Sequence, residues 1–408
     1  MRLFGLVRGF HWAWVVLAVG FYTVFIAFAI RFGYGVLLPK MIESLQITKT
    51  QAGFIVSSYF IAYTIFSPIA GMLTDKIGGR KVITGFCILL GLGTILMSRI
   101  TNLWLACIFY TIVGVGASAC WTAIAAVTQK WFSIKRRGIA TGIFSTGWAC
   151  GYAMVGLLFP ILVYSYGWRF CWFIMGLAAF SLVFVNGFLL RSKPEDLGLE
   201  PWGEEESKPK ENIPESQISY KKILKTTKFW LLGISYMTLA SAITITWTFV
   251  VTYLNLELKI DYTIASTLFS LIAFSAIAGS FAFSTLSDYF GRRNVLLVCN
   301  IMIALAILNL TTKNLNILTV ALSMVVFGSA YGGISIYAIC AADYFSQTSA
   351  GTVLGLWTIY YGIGAIISPV AAGILADTFN TFTWSFNLAS LMAIFSTLLL
   401  LPLKNKIR

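Results

Sequence analysis

Gly71-Met72-Leu73-Thr74-Asp75-Lys76-Ile77-Gly78-Gly79-Arg80-Lys81 decides the fold because it recurs. Ser287-Asp288-Tyr289-Phe290-Gly291-Arg292-Arg293 stands 213 residues later, with Asp288 matching Asp75, Gly291 matching Gly78 and Arg293 matching Arg80. The same offset carries Trp131-Phe132-Ser133 onto Tyr344-Phe345-Ser346, and Gly138, Gly142 and Gly151 onto Gly351, Gly355 and Gly364. One ungapped offset running through two separate regions marks an internal duplication. Each copy of the motif sits in a short turn between two long apolar runs, where glycine permits tight geometry.

Outward from these turns the chain is apolar. It is 58% hydrophobic and 11% charged, against about 25% charged in soluble domains. Twelve runs are long enough to cross a bilayer, which takes about 20 residues of helix: 12–38, 50–72, 82–98, 103–128, 138–164, 170–190, 229–253, 263–286, 295–311, 316–341, 352–375 and 381–402. No alternating pattern of the β-barrel kind dominates. The expectation is an all-α membrane protein of two pseudo-symmetric six-helix bundles, 1–190 and 229–408. A polar cytoplasmic linker, 191–228, joins them and reads as solvated, with Pro194, Pro201, Pro209 and Pro214 and eight of the fifteen acids. Residues 1–9 are short and basic, and the first apolar run reads as a retained helix rather than a cleaved signal.

The net charge of +14 does not point to nucleic acid. Twenty-two of the 29 basic residues fall in the termini and alternate loops on one side, against six on the other. That asymmetry places both termini in the cytoplasm, in a cytoplasmic membrane. One basic residue remains: Arg31, inside the first helix. A charge there costs several kcal/mol on most scales and ordinarily faces a cavity with work to do. Guanidinium grips carboxylate or phosphate bidentately, and every acid can be placed in a loop or near a helix end. Arg31 therefore calls for an anionic ligand, with a snorkelling structural arginine as the plain alternative.

The paired turns resemble the loop signature of the major facilitator superfamily. That resemblance implies a transporter working by alternating access, with Asp75, Gly78, Arg80, Asp288, Gly291 and Arg293 as gating residues. An acid at a helix end would hold a neighbour in one conformation and release it in the other. Arg31 followed by Pro39, Leu45 and Gln51-Ala52-Gly53, with Trp131-Phe132 and Gly167-Trp168-Arg169, is similar to the anion:cation symporter branch. There the first-helix arginine binds organic anions or phosphate esters. Two departures bear on mechanism. Ala117 stands where proton-coupled members carry a glutamate. Ser280 and Tyr360 or Tyr361 stand where the neighbouring oxalate–formate and monocarboxylate porters carry cations. One fixed charge suits one carboxylate, with or without hydroxyls.

The expected substrate site is Arg31 with Tyr34, Trp121, Trp247, Tyr331, Trp357, Tyr360 and Tyr361; Tyr152 and Tyr337 are further candidates. Tyr360 and Tyr361 occupy the repeat positions of Gly147 and Trp148. For any single aromatic, packing or an interfacial position is the commoner role. The seven cysteines form no CxxC pair and read as small hydrophobes, His11 is the single histidine, and no phosphate-binding GxxxxGK[ST] loop exists. No metal, cofactor or enzymatic constellation is expected. The expected partners are a small anionic substrate, with or without a proton, and the bilayer, for a monomeric carrier. The rivals are a facilitator or efflux carrier of neutral or drug-like solutes, and a non-transporting membrane sensor on the same fold.

Overall fold

The computed structural model describes residues 11–203, 223–312, 315–345 and 349–403, and within them twelve helices are long and apolar enough to cross a membrane. The first half holds α1 (Ala13–Leu45), α2 (Lys49–Ile77), α3 (Gly79–Met97), α4 (Leu103–Trp131), α5 (Arg137–Tyr166) and α6 (Trp168–Leu189). The second holds α7 (Thr227–Glu257), α8 (Tyr262–Phe290), α9 (Arg292–Asn309), α10 (Ile317–Phe345), α11 (Gly351–Thr378) and α12 (Thr383–Leu400). With no water in the hydrocarbon layer, each spanning segment must satisfy its own backbone, and helix does so. Helix starts are set by side-chain caps at Thr48, Asn102, Asp261 and Asn316. Several helices outrun the apolar runs: α1 continues through Pro39, which forfeits one backbone hydrogen bond, to Leu45, and ends where Gln46 turns left-handed at φ +52°.

The repeated turns are built alike. Gly78 and Gly291 have φ of +89° and +85°, a region costly for any residue with a Cβ. Each turns the chain straight into the next helix. The arginine two residues on then reaches back across its own half. Arg80 donates through Nε to the Gly187 carbonyl at 2.8 Å, and Arg293 through Nε to the Leu400 carbonyl at 3.1 Å. Gly187 and Leu400 are themselves related by the 213-residue offset. Each arginine thus binds the carbonyl end of its half's last helix, where a cation is favoured.

Buried polar links brace each half. Asn186 of α6 bonds Thr23 of α1 at 3.1 Å, and Asn300 of α9 bonds Ser396 of α12 at 2.9 Å, which in turn meets Ser235 of α7 at 2.8 Å. Such bonds matter where neither water nor a hydrophobic effect between helices is available.

The polar run after α6 is not wholly solvated. Residues 191–203 lie across the first half, and Trp202 is the anchor. Its N–H donates to the Trp131 carbonyl at 2.9 Å, and its carbonyl accepts from Ser133 N–H at 3.1 Å. Its ring lies 4.9 Å from Trp14 and 5.8 Å from Phe132, with the Arg136 guanidinium 5.4 Å from its centre. Trp131 Nε1 donates to the Arg191 carbonyl at 2.9 Å. Residues 204–222 of the run lie outside the described residues.

The halves meet asymmetrically. At the end remote from the termini, α2 packs on α11, α1 on α7, and α5 on α8. A methyl group added at Gly53 would collide with the Pro369 backbone, and one at Gly35 with the Trp247 carbonyl. Ser270 donates to the Ala153 carbonyl at 2.9 Å, and Tyr262 to the Val36 carbonyl at 3.0 Å. At the other end, where the basic turns lie, Gly138 and Gly142 of α5 and Gly351 and Gly355 of α11 face nothing within 4 Å among the described residues. Among the described residues the halves stand open at the basic end and closed at the other.

Candidate functional site

Arg31 sits at mid-helix in α1, 7% exposed, on the face turned toward the second half. The Phe60 ring lies 4.6 Å from its guanidinium carbon, Phe28 5.5 Å, Tyr63 5.7 Å, and Tyr59 and Phe32 6.0 Å each. Aromatic faces attract a cation, by about 2 kcal/mol or more when it is desolvated. The cage thus tolerates the charge without neutralising it. Arg31 Nη2 donates to the Tyr361 hydroxyl of α11 at 3.4 Å, a long bond that crosses from one half to the other. Its Nε is buried without a partner. The ion pairs among the described residues are Lys40–Glu43, Arg292–Asp288 and Arg292–Asp343; Arg31 is in none of them. Five donors on a permanent cation, one of them weakly engaged, make a receptor for an anion.

The second half contributes to the same region. Tyr331 of α10 meets Trp148 of α5 edge-on at 5.3 Å, and Trp247 of α7 meets Phe32 at 5.5 Å and Phe60 at 6.2 Å. The Tyr361 ring lies 5.3 Å from that of Tyr236, tilted against it. Trp121 of α4 lies 5.8 Å from Phe28, one ring removed from Arg31. Of the residues singled out from sequence, the structure brings together Arg31, Tyr361, Tyr331, Trp247 and, in the outer layer, Trp121 and Tyr152, which stacks on Phe32 at 4.1 Å; Tyr337 bonds Ser235 at 2.7 Å inside the second half.

The others lie elsewhere. Tyr34 donates to the Ala52 carbonyl at 2.8 Å and stacks on Tyr110 inside the first half. Trp357 donates to the Phe229 carbonyl at 3.1 Å and packs against Phe345 within the second. Tyr360 turns toward Phe229 and Trp230 at the start of α7. On a helix apolar all round, one residue's step of 100° separates Tyr360 from Tyr361, and sequence does not say which faces inward. Tyr59, Phe60 and Tyr63 of α2 were missed. Their signal is a pair of tyrosines four apart, hence on one helix face.

The gating candidates occupy one conformation. Asp75 is exposed and makes no ion pair among the described residues. Asp288 pairs with Arg292 at 2.6 Å, and Arg292 also reaches Asp343 of α10 at 3.0 Å. Arg80 and Arg293 hold helix ends, as described above. A surface groove of about 530 Å³ at the closed end is bordered by Lys40, Glu43, Tyr164, Trp168 and Tyr262. Its lysine is already paired with Glu43 at 2.9 Å, so it offers an anion less than Arg31 does.

The chain is similar to known proteins over nearly its whole length. It is 23% identical over 408 residues to the membrane sensor protein UhpC of Salmonella typhimurium, covering 94% of this chain and 90% of that one. It is 24% identical over 394 residues to a hexuronate transporter of Bacillus subtilis, covering 90% and 89%. In three dimensions it superposes on the crystal structure of the nucleoside transporter NupG with a TM-score of 0.77 at 14% identity, over 95% of this chain and 99% of that one. The family model described as Major Facilitator Superfamily matches residues 20–257 and 232–407. The two matched segments overlap, the first running on through α7 and the second covering most of the second half, and together they span nearly the whole chain: the chain belongs to the Major Facilitator Superfamily.

Proposed function

We propose that this protein carries a small organic anion across the cytoplasmic membrane by alternating access, with Arg31 holding the carboxylate. The observation that carries this reading is a buried guanidinium between the two halves that has an aromatic cage, one long hydroxyl contact and, among the described residues, no acid. The similarity to a hexuronate transporter supports it. The positive charge at the open end supports a cytoplasmic position for that end and for both termini. The substrate enters there and binds Arg31 and Tyr361 together, drawing α1 and α11 toward each other. Neutralising Arg31 lowers the cost of burying it, so the loaded carrier closes more readily than the empty one. Asp75 and Asp288, with their glycines and arginines, form the closing edge at the basic end. Among the described residues no carboxylate contacts Arg31, so a proton travels on the substrate itself, or the carrier runs exchange or uniport.

Uptake of labelled monocarboxylates, sugar acids, sugar phosphates and nitrate into proteoliposomes tests this, with wild type beside Arg31→Lys and Arg31→Gln, with and without a pH gradient. Uptake of one anion, abolished in Arg31→Gln, is the expected result; equal transport by all three proteins would make Arg31 structural. The similarity to a sensor favours one second reading, a receptor that binds the anion without moving it. Arg31-dependent binding with no uptake at any gradient selects it.

A further inference from the structure

Thr244, Thr248 and Thr252 of α7 are fully buried, and their hydroxyls make no hydrogen bond among the described residues. A threonine inside a helix can donate to the carbonyl four residues back. Thr246 does so to Ala242 at 2.8 Å, and Thr238 to Ile234 at 3.1 Å. The other three do not. They recur at every fourth residue, hence along one face.

Neighbours show where that face lies. Trp247 meets Phe32 and Phe60 of the first half, and Ser241 lies against Gly364 of α11. At about 100° per residue, Thr244 and Thr248 fall between those two directions, and Thr252 just past that of Ser241. The face therefore turns into the angle where α7 meets the first half and α11. From α11 comes Ser368, 5% exposed, whose hydroxyl also has no partner among the described residues. It stands seven residues beyond Tyr361, on the same helix face and two turns nearer the closed end. α7 runs the same way, since Glu257 at its far end accepts from the Phe382 N–H at 2.8 Å, just past α11. The four hydroxyls thus climb from above the Arg31–Tyr361 contact toward the closed end. Each is stranded while that end is shut, and hydration on opening would recover the bond it lacks.

Building on the alternating-access reading, we propose that Thr244, Thr248, Thr252 and Ser368 line the substrate's passage from Arg31 to the far side of the membrane, and that their hydroxyls, unpaired in the closed seam, lower the cost of opening it. Valine keeps threonine's shape and drops the hydroxyl, which gives the test its sign. In the full chain in nanodiscs, Thr244→Val, Thr248→Val and Thr252→Val together are expected to raise the midpoint of thermal unfolding by several degrees. They are also expected to slow opening of this end at least five-fold, read as modification of Ser368→Cys by a charged methanethiosulfonate over the background of the native cysteines. In the threonine background, Thr248→Cys is expected to react at least ten-fold faster than Thr246→Cys, on the other side of the helix. Thr248→Val alone repeats the first two measurements should the triple variant fail to fold. Unchanged unfolding with an unchanged rate at Ser368→Cys, or equal reactivity at positions 246 and 248, overturns this proposal and leaves alternating access standing. No reaction at either 248 or 368, in a chain that takes up none of the anions offered in proteoliposomes, overturns both.

Discussion

Asp377 of α11 grips Thr50 of α2 twice, accepting from its backbone N–H at 2.8 Å and from its hydroxyl at 2.6 Å. Its other oxygen accepts from Lys49 N–H at 3.1 Å. A carboxylate of the second half thus caps the N-terminus of a helix in the first, where the helix dipole favours negative charge. This joint lies at the closed end and must part for that end to open.

Asp377→Asn is expected to loosen the joint. Losing a charge-assisted cap is worth about 1–2 kcal/mol, which shifts the balance between open and closed at this end by about 5- to 30-fold. Spin labels at the outer ends of α2 and α11 would report a second, longer distance in the variant. An unchanged distance distribution would show that packing at Gly53 and Gly35, and not Asp377, keeps this end shut.

Gly53→Val acts on the same seam by volume instead of charge. Its side chain would strike the Pro369 backbone, which cannot rotate away. Transport is expected to fall by at least ten-fold while each half stays folded. Cysteine pairs across α2 and α11 should cross-link poorly in the variant; efficient cross-linking with normal uptake would refute the tight seam.

Arg80→Ala and Arg293→Ala should produce matching losses, since each removes the bond between the turn and the last helix of its own half. Hydrogen bonds to a charged group contribute about 1.5–3 kcal/mol, so a fall of several degrees in thermal unfolding is expected for either. Arg→Lys should recover only part of it, because one ammonium cannot reproduce the forked contact. If either alanine variant left thermal unfolding unchanged while slowing transport, that arginine would act in gating rather than in bracing.

Trp202→Ala is expected to release the strap at 191–203 from the first half. Limited proteolysis should then cut within that stretch several-fold faster than in wild type. Equal cutting rates would mean that the bond from Trp131 to the Arg191 carbonyl and the bond between His11 Nε2 and the Glu200 carbonyl at 3.1 Å hold it without the ring.

The helices were legible in the sequence because hydrocarbon demands long apolar runs, and the duplication was legible because one offset aligns Asp75, Gly78 and Arg80 with their mates. Arg31 announced itself because charge inside a helix of this kind is expensive. What the sequence withheld was rotation. Helices in a membrane are apolar toward lipid and toward each other, so no periodicity separates Tyr361, beside Arg31, from Tyr360, turned away from it, or reveals Tyr59 and Tyr63. Trp202 was hidden differently. A lone tryptophan in a charged, proline-rich stretch is a docking signal, but the composition around it reads as solvated chain.

Gly138 and Gly142 on α5 and Gly351 and Gly355 on α11 meet no other described residue within 4 Å. A helix facing only solvent has no use for glycine, which weakens it by about 1 kcal/mol per residue against alanine. Two repeat-related pairs at one spacing of four make sense as a surface awaiting its counterpart, as Gly53 has already met Pro369 at the far end. The chain therefore encodes two interfaces, of which any single conformation displays one. Mutational tolerance measured at these glycines in a stability assay and in a transport assay should disagree, and the size of that disagreement is a direct reading of the conformation not seen.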